Sequence, residues 1–260
     1  MKIKFLDKNK DEIRFIVDGI SIPMANALRR IMMVEVPTLA IEDVYFRENT
    51  SVLFDEVIAH RLGLIPLKFD PTIINFMEEC SCEGEGCPNC QVVFELNKEG
   101  PCTVYSGDMK SSAKEVKPVF DNIPIVKLEK GQKLSFEAIA ILGVGKEHIK
   151  WKAAVTSYKL YPSIEINAKK CDNCGACIKA CPKNILKEKN GKIIIQNIEE
   201  CNLCNACAEA CGDKDAIKIS GNESKFIFDV ETVSGLSPKE IVLKACEILD
   251  NKSKSLIKSL

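Results

Sequence analysis

Two cysteine runs, thirty residues apart, constrain this chain more than any other feature of its sequence. The first reads Cys171-x2-Cys174-x2-Cys177-x3-Cys181-Pro182, and the second Cys201-x2-Cys204-x2-Cys207-x3-Cys211-Gly212. Each offers three thiols in close succession and a fourth just beyond. A disulfide framework is a poor reading, because residues three apart in a tight loop rarely reach disulfide geometry. A pair of zinc sites is the other competitor. Zinc takes its four ligands from pairs of CxxC or CxxH, and a third equally spaced Cys fits its tetrahedron poorly.

The spacing is that of two-cluster bacterial ferredoxins, in which the fourth Cys of each run ligates the other run's cluster. It predicts two 4Fe–4S clusters. One is held by Cys171, Cys174, Cys177 and Cys211, the other by Cys201, Cys204, Cys207 and Cys181. The crossing forces both runs to fold as one unit. Gly212 stands where Pro182 stands in the first run, a change that touches turn geometry and not ligand count.

A third group, Cys80-x-Cys82-x4-Cys87-x2-Cys90, lies among Gly84, Gly86 and Pro88. Four thiolates within so short a loop can wrap one tetrahedral zinc. The alternative is four free thiols, or disulfides formed during handling. Of the fourteen cysteines, Cys102 and Cys246 remain. Both lie in apolar patterns and are expected to be buried small hydrophobes.

Two or three domains fit within 260 residues. A net charge of −1 excludes a chain that coats nucleic acid or an anionic membrane by itself. The first residues alternate apolar and polar side chains without a signal h-region. No apolar stretch approaches the ~20 residues of a membrane span. So many cysteines in cluster motifs point to metal ligands of a cytoplasmic protein. His60 and His148 are the only histidines, and neither has a metal-spaced partner or a nucleophile motif beside it. Gly143-x-Gly145-Lys146 lacks the rest of a Walker pattern. No catalytic residue is expected.

The periodicity predicts an α+β chain. Residues 1–20 read as a β-hairpin. Ser21 and Pro23 open a helix whose apolar stripe is Met24, Ala27, Leu28, Ile31 and Met32, ending before Pro37. Residues 38–165 read as mostly β, with strands at 41–46, 92–96, 102–105, 134–142 and 153–161 and a short helix at 55–64. Short strands at 164–167, 193–196 and 217–220 flank the cysteine runs within a module spanning 166–222. After a strand at 225–230, Ser237-Pro238-Lys239-Glu240 forms a capping box. The helix that follows aligns Ile241, Val242, Ala245, Ile248 and Leu249 on one face, with Lys252, Lys254 and Lys258 towards its negative end. Amphipathic helices near both termini suit a two-chain interface, or merely cover a sheet within this chain; composition does not separate the two.

Four strings carry a resemblance. They are Asn26-Ala27-Leu28-Arg29-Arg30-Ile31-Met32; Val36-Pro37-Thr38-Leu39-Ala40-Ile41-Glu42-Asp43-Val44; Glu56-Val57-Ile58-Ala59-His60-Arg61-Leu62-Gly63-Leu64-Ile65-Pro66-Leu67; and Gly143-Val144-Gly145-Lys146-Glu147-His148-Ile149-Lys150-Trp151. Together they resemble the alpha-type assembly subunits of cellular RNA polymerases, most closely those of the archaeal enzyme, some of which carry a ferredoxin-like insertion. The resemblance implies a discontinuous dimerisation domain (residues 1–37 plus 223–260), an inserted β-rich domain (38–165) and a ferredoxin-like module (166–222). It implies pairing with a smaller alpha-like subunit of L type, contacts with small subunits N and P, and a platform for the two large catalytic subunits. Ala27, Leu28, Arg29, Arg30, Ile31, Ile241, Ala245 and Ile248 are the interface residues it suggests. It also supports zinc at Cys80, Cys82, Cys87 and Cys90, and implies no bacterial-type domain touching promoter DNA.

Two functions then compete: an assembly subunit whose clusters stabilise or regulate association, and an electron-transfer ferredoxin-type subunit of an oxidoreductase. Residues 166–222 carry nine lysines and seven acidic side chains. Two oxidised clusters of about −2 each, thiolates included, would leave the module near −2. That is weakly acidic for a soluble electron carrier.

Overall fold

The computed structural model describes residues 1–212 and 216–260. It divides into two compact units. One comprises Met1–Lys8, Ile13–Ala27 and Ser157–Asp229, the other Asn9–Glu12, Leu28–Thr156 and Val230–Leu260.

The first unit is organised by a four-stranded sheet in the order β1-β2-β14-β11. The expected hairpin forms from β1 (Lys2–Lys8) and β2 (Glu12–Asp18), antiparallel, with Lys2 opposite Asp18 and Phe5 opposite Phe15. β11 (Ala154–Ile166) and β14 (Ile217–Thr232) complete it. Each merges two segments that sequence reading separates. Pro162 looks like a breaker, but β11 is an edge strand, where a missing N–H costs no ladder bond. The turn-rich Gly221-Asn222-Glu223-Ser224 stays in β14 because pairing overrides local preference; the Ser224 carbonyl accepts from Gly19 N at 2.8 Å. Aromatic rings knit the sheet's buried face. Phe15 stacks on Phe228 at 5.4 Å, and Tyr158 meets Phe226 edge-on at 5.6 Å.

The cysteine runs lie between β11 and β14. Helices α3 (Ala176–Ala180) and α4 (Ala206–Glu209) follow the first cysteines of each run, and a hairpin of β12 (Leu186–Lys189) and β13 (Lys192–Ile195) joins them. The strand expected at 193–196 is β13; its partner β12 was not visible in the pattern of charged residues.

The second unit is built on a sheet in the order β3-β10-β5-β7, from β3 (Thr38–Asn49), β5 (Gln91–Glu99), β7 (Lys110–Ser111) and β10 (Lys133–Gly143). β10 is the central strand. Its strict alternation buries Leu134, Phe136, Ala138 and Ala140. Helix α2 (Asp55–Gly63) buries Ile58 and Leu62 and ends before Pro66, as expected. Two small ribbons, β4 (Leu67–Lys68) with β8 (Lys117–Pro118) and β6 (Cys102–Tyr105) with β9 (Pro124–Leu128), complete the β-rich part.

Helix α1 (Ile22–Val34) buries Ala25, Ile31 and Met32. Helix α5 (Pro238–Ser259) starts at the predicted capping box: Ser237 Oγ accepts from Glu240 N at 3.3 Å, and Ser237 N donates to the Glu240 carboxylate at 2.7 Å. Its first turns bury Ile241 and Ala245, and every residue from Asn251 onward is exposed.

Candidate metal centres

The 80–90 loop folds back on itself through left-handed backbone at Glu83, Gly84 and Gly86. This gathers the sulfurs of Cys80, Cys82, Cys87 and Cys90 within 4.8 Å of one another. Cys80 Sγ lies 3.5 Å from Cys87 Sγ, and Cys82 Sγ 3.6 Å from Cys90 Sγ. A tetrahedron with zinc–sulfur bonds of about 2.3 Å sets its sulfurs about 3.8 Å apart. The donor set and its spacing therefore fit a four-thiolate zinc site. Cys80 and Cys90 are buried, so the group is shielded on one side. Burial works against the Cys82 thiolate, yet hydrogen bonds from Cys80, Cys90 and the backbone of Gly86 and Gly84 bring its thiol down to about 6. Burial, above all, pushes the Cys90 thiol up to about 12. One thiolate is thus ready at neutral pH to take up a metal ion.

The eight cysteines of the two runs are all free, with Cys177, Cys181, Cys201 and Cys207 buried. Cys171 and Cys211 are half-buried, and Cys174 and Cys204 exposed. Both runs wrap alike. Asn173 and Leu203 take φ of 58°, and Gly175 and Asn205 take 72° and 61°, just before α3 and α4. Leu203 holds a left-handed conformation that side chains beyond Asn and Asp rarely adopt, so the repeat is one of backbone shape more than of sequence. Gly212 has φ of +60°, which proline cannot reach, and that accounts for its place opposite Pro182.

Burial raises the Cys177 thiol, and charge on Cys171 and Cys211 adds to it. Burial likewise raises the Cys207 thiol, with Cys181, Cys201 and Cys204 as its charged neighbours. The fourth cysteine of each run thus lies in the electrostatic neighbourhood of the other run's inner thiol. Ile164, Ile185, Leu186 and Ile217 pack with the four buried cysteines into one small core. Eight free thiols, four of them buried in that core, are a donor set that fits iron–sulfur ligation.

The remaining sequence candidates fall as follows. Ile31, Ile241 and Ala245 are buried within the chain; Ala27, Leu28, Arg29 and Ile248 are half-buried, and Arg30 is exposed. Cys102 is half-buried and Cys246 exposed, against the expectation that both are core residues. Cys246 lies on α5 one position past Ala245, so helical rotation turns it off the buried face. His60 is exposed, and His148 Nδ1 accepts from Lys150 N at 3.2 Å. The Gly143–Lys146 segment is a packing loop. A Cβ at Gly143 would overlap the Trp151 ring, and one at Gly145 would lie 2.8 Å from the Met33 carbonyl.

Sequence reading missed Arg14, Lys159 and Tyr161, which reach the second cysteine run from β2 and β11. The sequence gap between Arg14 and its partner is 186 residues, and no local pattern signals such a contact.

Residues 44–168 match the RNA polymerase Rpb3/RpoA insert domain family, and residues 163–212 match the 4Fe-4S dicluster domain family. The chain is 49% identical over 261 residues to the DNA-directed RNA polymerase subunit Rpo3 of Methanothermobacter thermautotrophicus, spanning 99% of this chain and 98% of that one. It is 44% identical to the subunit Rpo3 of Archaeoglobus fulgidus, spanning 99% and 97%. Against the subunit Rpo3 of Pyrococcus horikoshii it is 41% identical, spanning 100% and 98%. Identity of this level runs from end to end, and the two domain families fall on the β-rich segment and the paired cysteine runs; the chain belongs to the Rpo3 family of DNA-directed RNA polymerase subunits.

Proposed function

We infer that this chain is the non-catalytic assembly subunit of a DNA-dependent RNA polymerase, acting in the cytoplasm. It pairs with a smaller alpha-like subunit of L type, and the pair forms the platform on which the two large catalytic subunits assemble, with small subunits N and P alongside. The observation that carries this reading is the end-to-end identity with Rpo3 subunits. The structure supports it with exposed apolar side chains. Ile3, Phe5, Ile22 and Met24 are exposed on β1 and α1, and Leu256 and Ile257 on α5. An obligate heterodimer resembles a core cut in half, and such faces are what each half leaves uncovered. No direct contact with promoter DNA is assigned to it.

Two 4Fe–4S clusters fit the crossed ligand sets, Cys171, Cys174, Cys177 and Cys211 against Cys201, Cys204, Cys207 and Cys181. One zinc ion fits Cys80, Cys82, Cys87 and Cys90. With only a small core of its own, the module draws much of its stability from ligation, so cluster supply bears on assembly. The same end-to-end identity favours the polymerase over an electron-transfer subunit of an oxidoreductase. Affinity purification of the chain under strict anaerobic conditions, with mass spectrometry of its partners, tests the reading. Recovery of a small alpha-like subunit and two large polymerase subunits is expected; recovery of dehydrogenase or hydrogenase subunits in their place would overturn it.

A further inference from the structure

Two strands of the sheet send side chains to one short turn of the cysteine module, and a third strand braces one of those side chains. The turn is Ile198–Glu200 with Cys201 directly after it, the segment that delivers the first thiol of the second run. From β2, Arg14 Nη1 lies 2.5 Å from Glu200 Oε1, and Nη2 donates to the Glu199 carbonyl at 3.3 Å. From β11, Lys159 Nζ donates to the Cys201 carbonyl at 2.9 Å. Tyr161, two residues along the same face of β11, has the Glu199 carboxylate as its charged neighbour. From β14, Asp229 holds Arg14 Nε at 3.1 Å. The approach to Cys171 is built differently, from within: Lys169 N and Cys171 N bond Asn167 at 3.0 Å each.

Burial follows the same asymmetry. Three thiols of the second set, Cys181, Cys201 and Cys207, are buried, against only Cys177 in the first. Single exposed ion pairs contribute little, because ordering two long side chains offsets the attraction. Here the Arg14 side chain is only 22% exposed, and its acceptors include the main-chain carbonyl of Glu199, two residues before Cys201. A cluster that fixes Cys201 also fixes the acceptors of Arg14 and Lys159. With Cys201 free, those acceptors are no longer held, and two cations beside an apolar sheet lose part of their compensation.

We propose that Arg14 and Lys159 form a latch through which loading of the second cysteine run, and not of the first, orders the β2–β14–β11 sheet. The latch rests on the cluster reading given above. Its consequence is directional: emptying the second site loosens the sheet, while emptying the first leaves it intact.

The test is amide hydrogen exchange on the anaerobically reconstituted full-length chain, before and after removal of iron by a chelator, with iron and acid-labile sulfide measured on each sample. Iron removal should speed exchange in residues 157–166 and 217–229 by about tenfold. Cys171→Ser, which retains the second cluster, should leave those segments protected. Glu200→Gln and Lys159→Met should keep their iron, exchange faster in those segments while loaded, and respond less to the chelator. Should Cys171→Ser fail to fold, the two latch variants still decide the matter. Loaded Glu200→Gln and Lys159→Met chains indistinguishable from the parent would overturn the latch alone. A reconstituted chain that binds no iron would overturn the cluster reading itself.

Discussion

Cys80 and Cys87, seven residues apart, bring their sulfurs to 3.5 Å without a disulfide. Cys82 and Cys90 do the same at 3.6 Å, and the two pairs sit against one another. Chain prepared without chelator should hold about one zinc per molecule. Cys80→Ser or Cys87→Ser should lose that zinc and expose the loop to limited proteolysis between residues 77 and 91. Iron content of the cysteine runs should be unchanged, since those ligands are separate. A full zinc content in Cys80→Ser would mean the metal sits elsewhere.

The crossing of the cysteine runs is open to a double-substitution experiment. Cys181→Ser and Cys201→Ser belong to one proposed ligand set, so combining them should remove no more iron than either alone. Combining Cys181→Ser with Cys171→Ser should empty both sites, taking iron from about eight atoms per chain to near zero. Electron paramagnetic resonance of the reduced single variants reports which cluster survives. Iron loss from Cys181→Ser that adds to that from Cys201→Ser would place Cys181 on the first cluster instead.

Acid should weaken the β-rich unit through Asp108. Its carboxyl is held below the usual range by the Lys98 ammonium at 2.7 Å and by the Tyr105 backbone N–H at 2.9 Å. A carboxylate with a depressed folded pKa contributes stability above its unfolded value, near 3.9, and loses it as pH falls through the folded value. Lys98, raised by the same pair, contributes until strongly alkaline pH and has no part in the acid limb. Asp108→Asn should cost about 1 kcal/mol at neutral pH and flatten the loss of stability below about pH 4. Urea denaturation at several pH values checks both, and an unchanged acid slope would count against the assignment.

Gly143→Ala should destabilise the same unit by about 1–3 kcal/mol, because the new methyl overlaps the Trp151 ring and forces one of them to move. Trp151 is the only tryptophan, so its fluorescence reports the displacement directly. Nucleotide binding should be absent in parent and variant alike, since this glycine segment packs against a ring. Phosphate-dependent fluorescence changes in the parent would contradict that.

What was legible in the sequence was local. Ser237, Pro238 and Glu240 announce the start of α5, and the atoms meet as the pattern requires. The hairpin of β1 and β2 and the alternation of β10 follow from period-two burial, and spacing alone groups the cysteines into runs. What was not legible depends on position within a sheet. Pro162 reads as a stop until β11 is known to be an edge, and Gly221–Ser224 reads as a turn until β14 is known to be paired. Exposure of Cys246 depends on which face of α5 finds a neighbour, a matter of tertiary packing. Arg14 meeting Glu200 could not be foreseen, since charge patterns carry no information at that separation.

The strands β11 and β14 lie side by side, and where they stop, Asn167 N donates to the Ala216 carbonyl at 2.8 Å. The cysteine module therefore leaves and re-enters the sheet through a single doorway one hydrogen bond wide. Topologically it is the loop of a hairpin, enlarged until it acquired a core of its own. Such a loop can be gained or lost without re-threading the strands around it, so a lineage that dispensed with iron–sulfur chemistry could close the gap with a short turn and keep the polymerase platform. The cysteines are an accessory carried by the scaffold, joined to it by two adjacent chain crossings and, through Arg14 and Lys159, held to it at a further point.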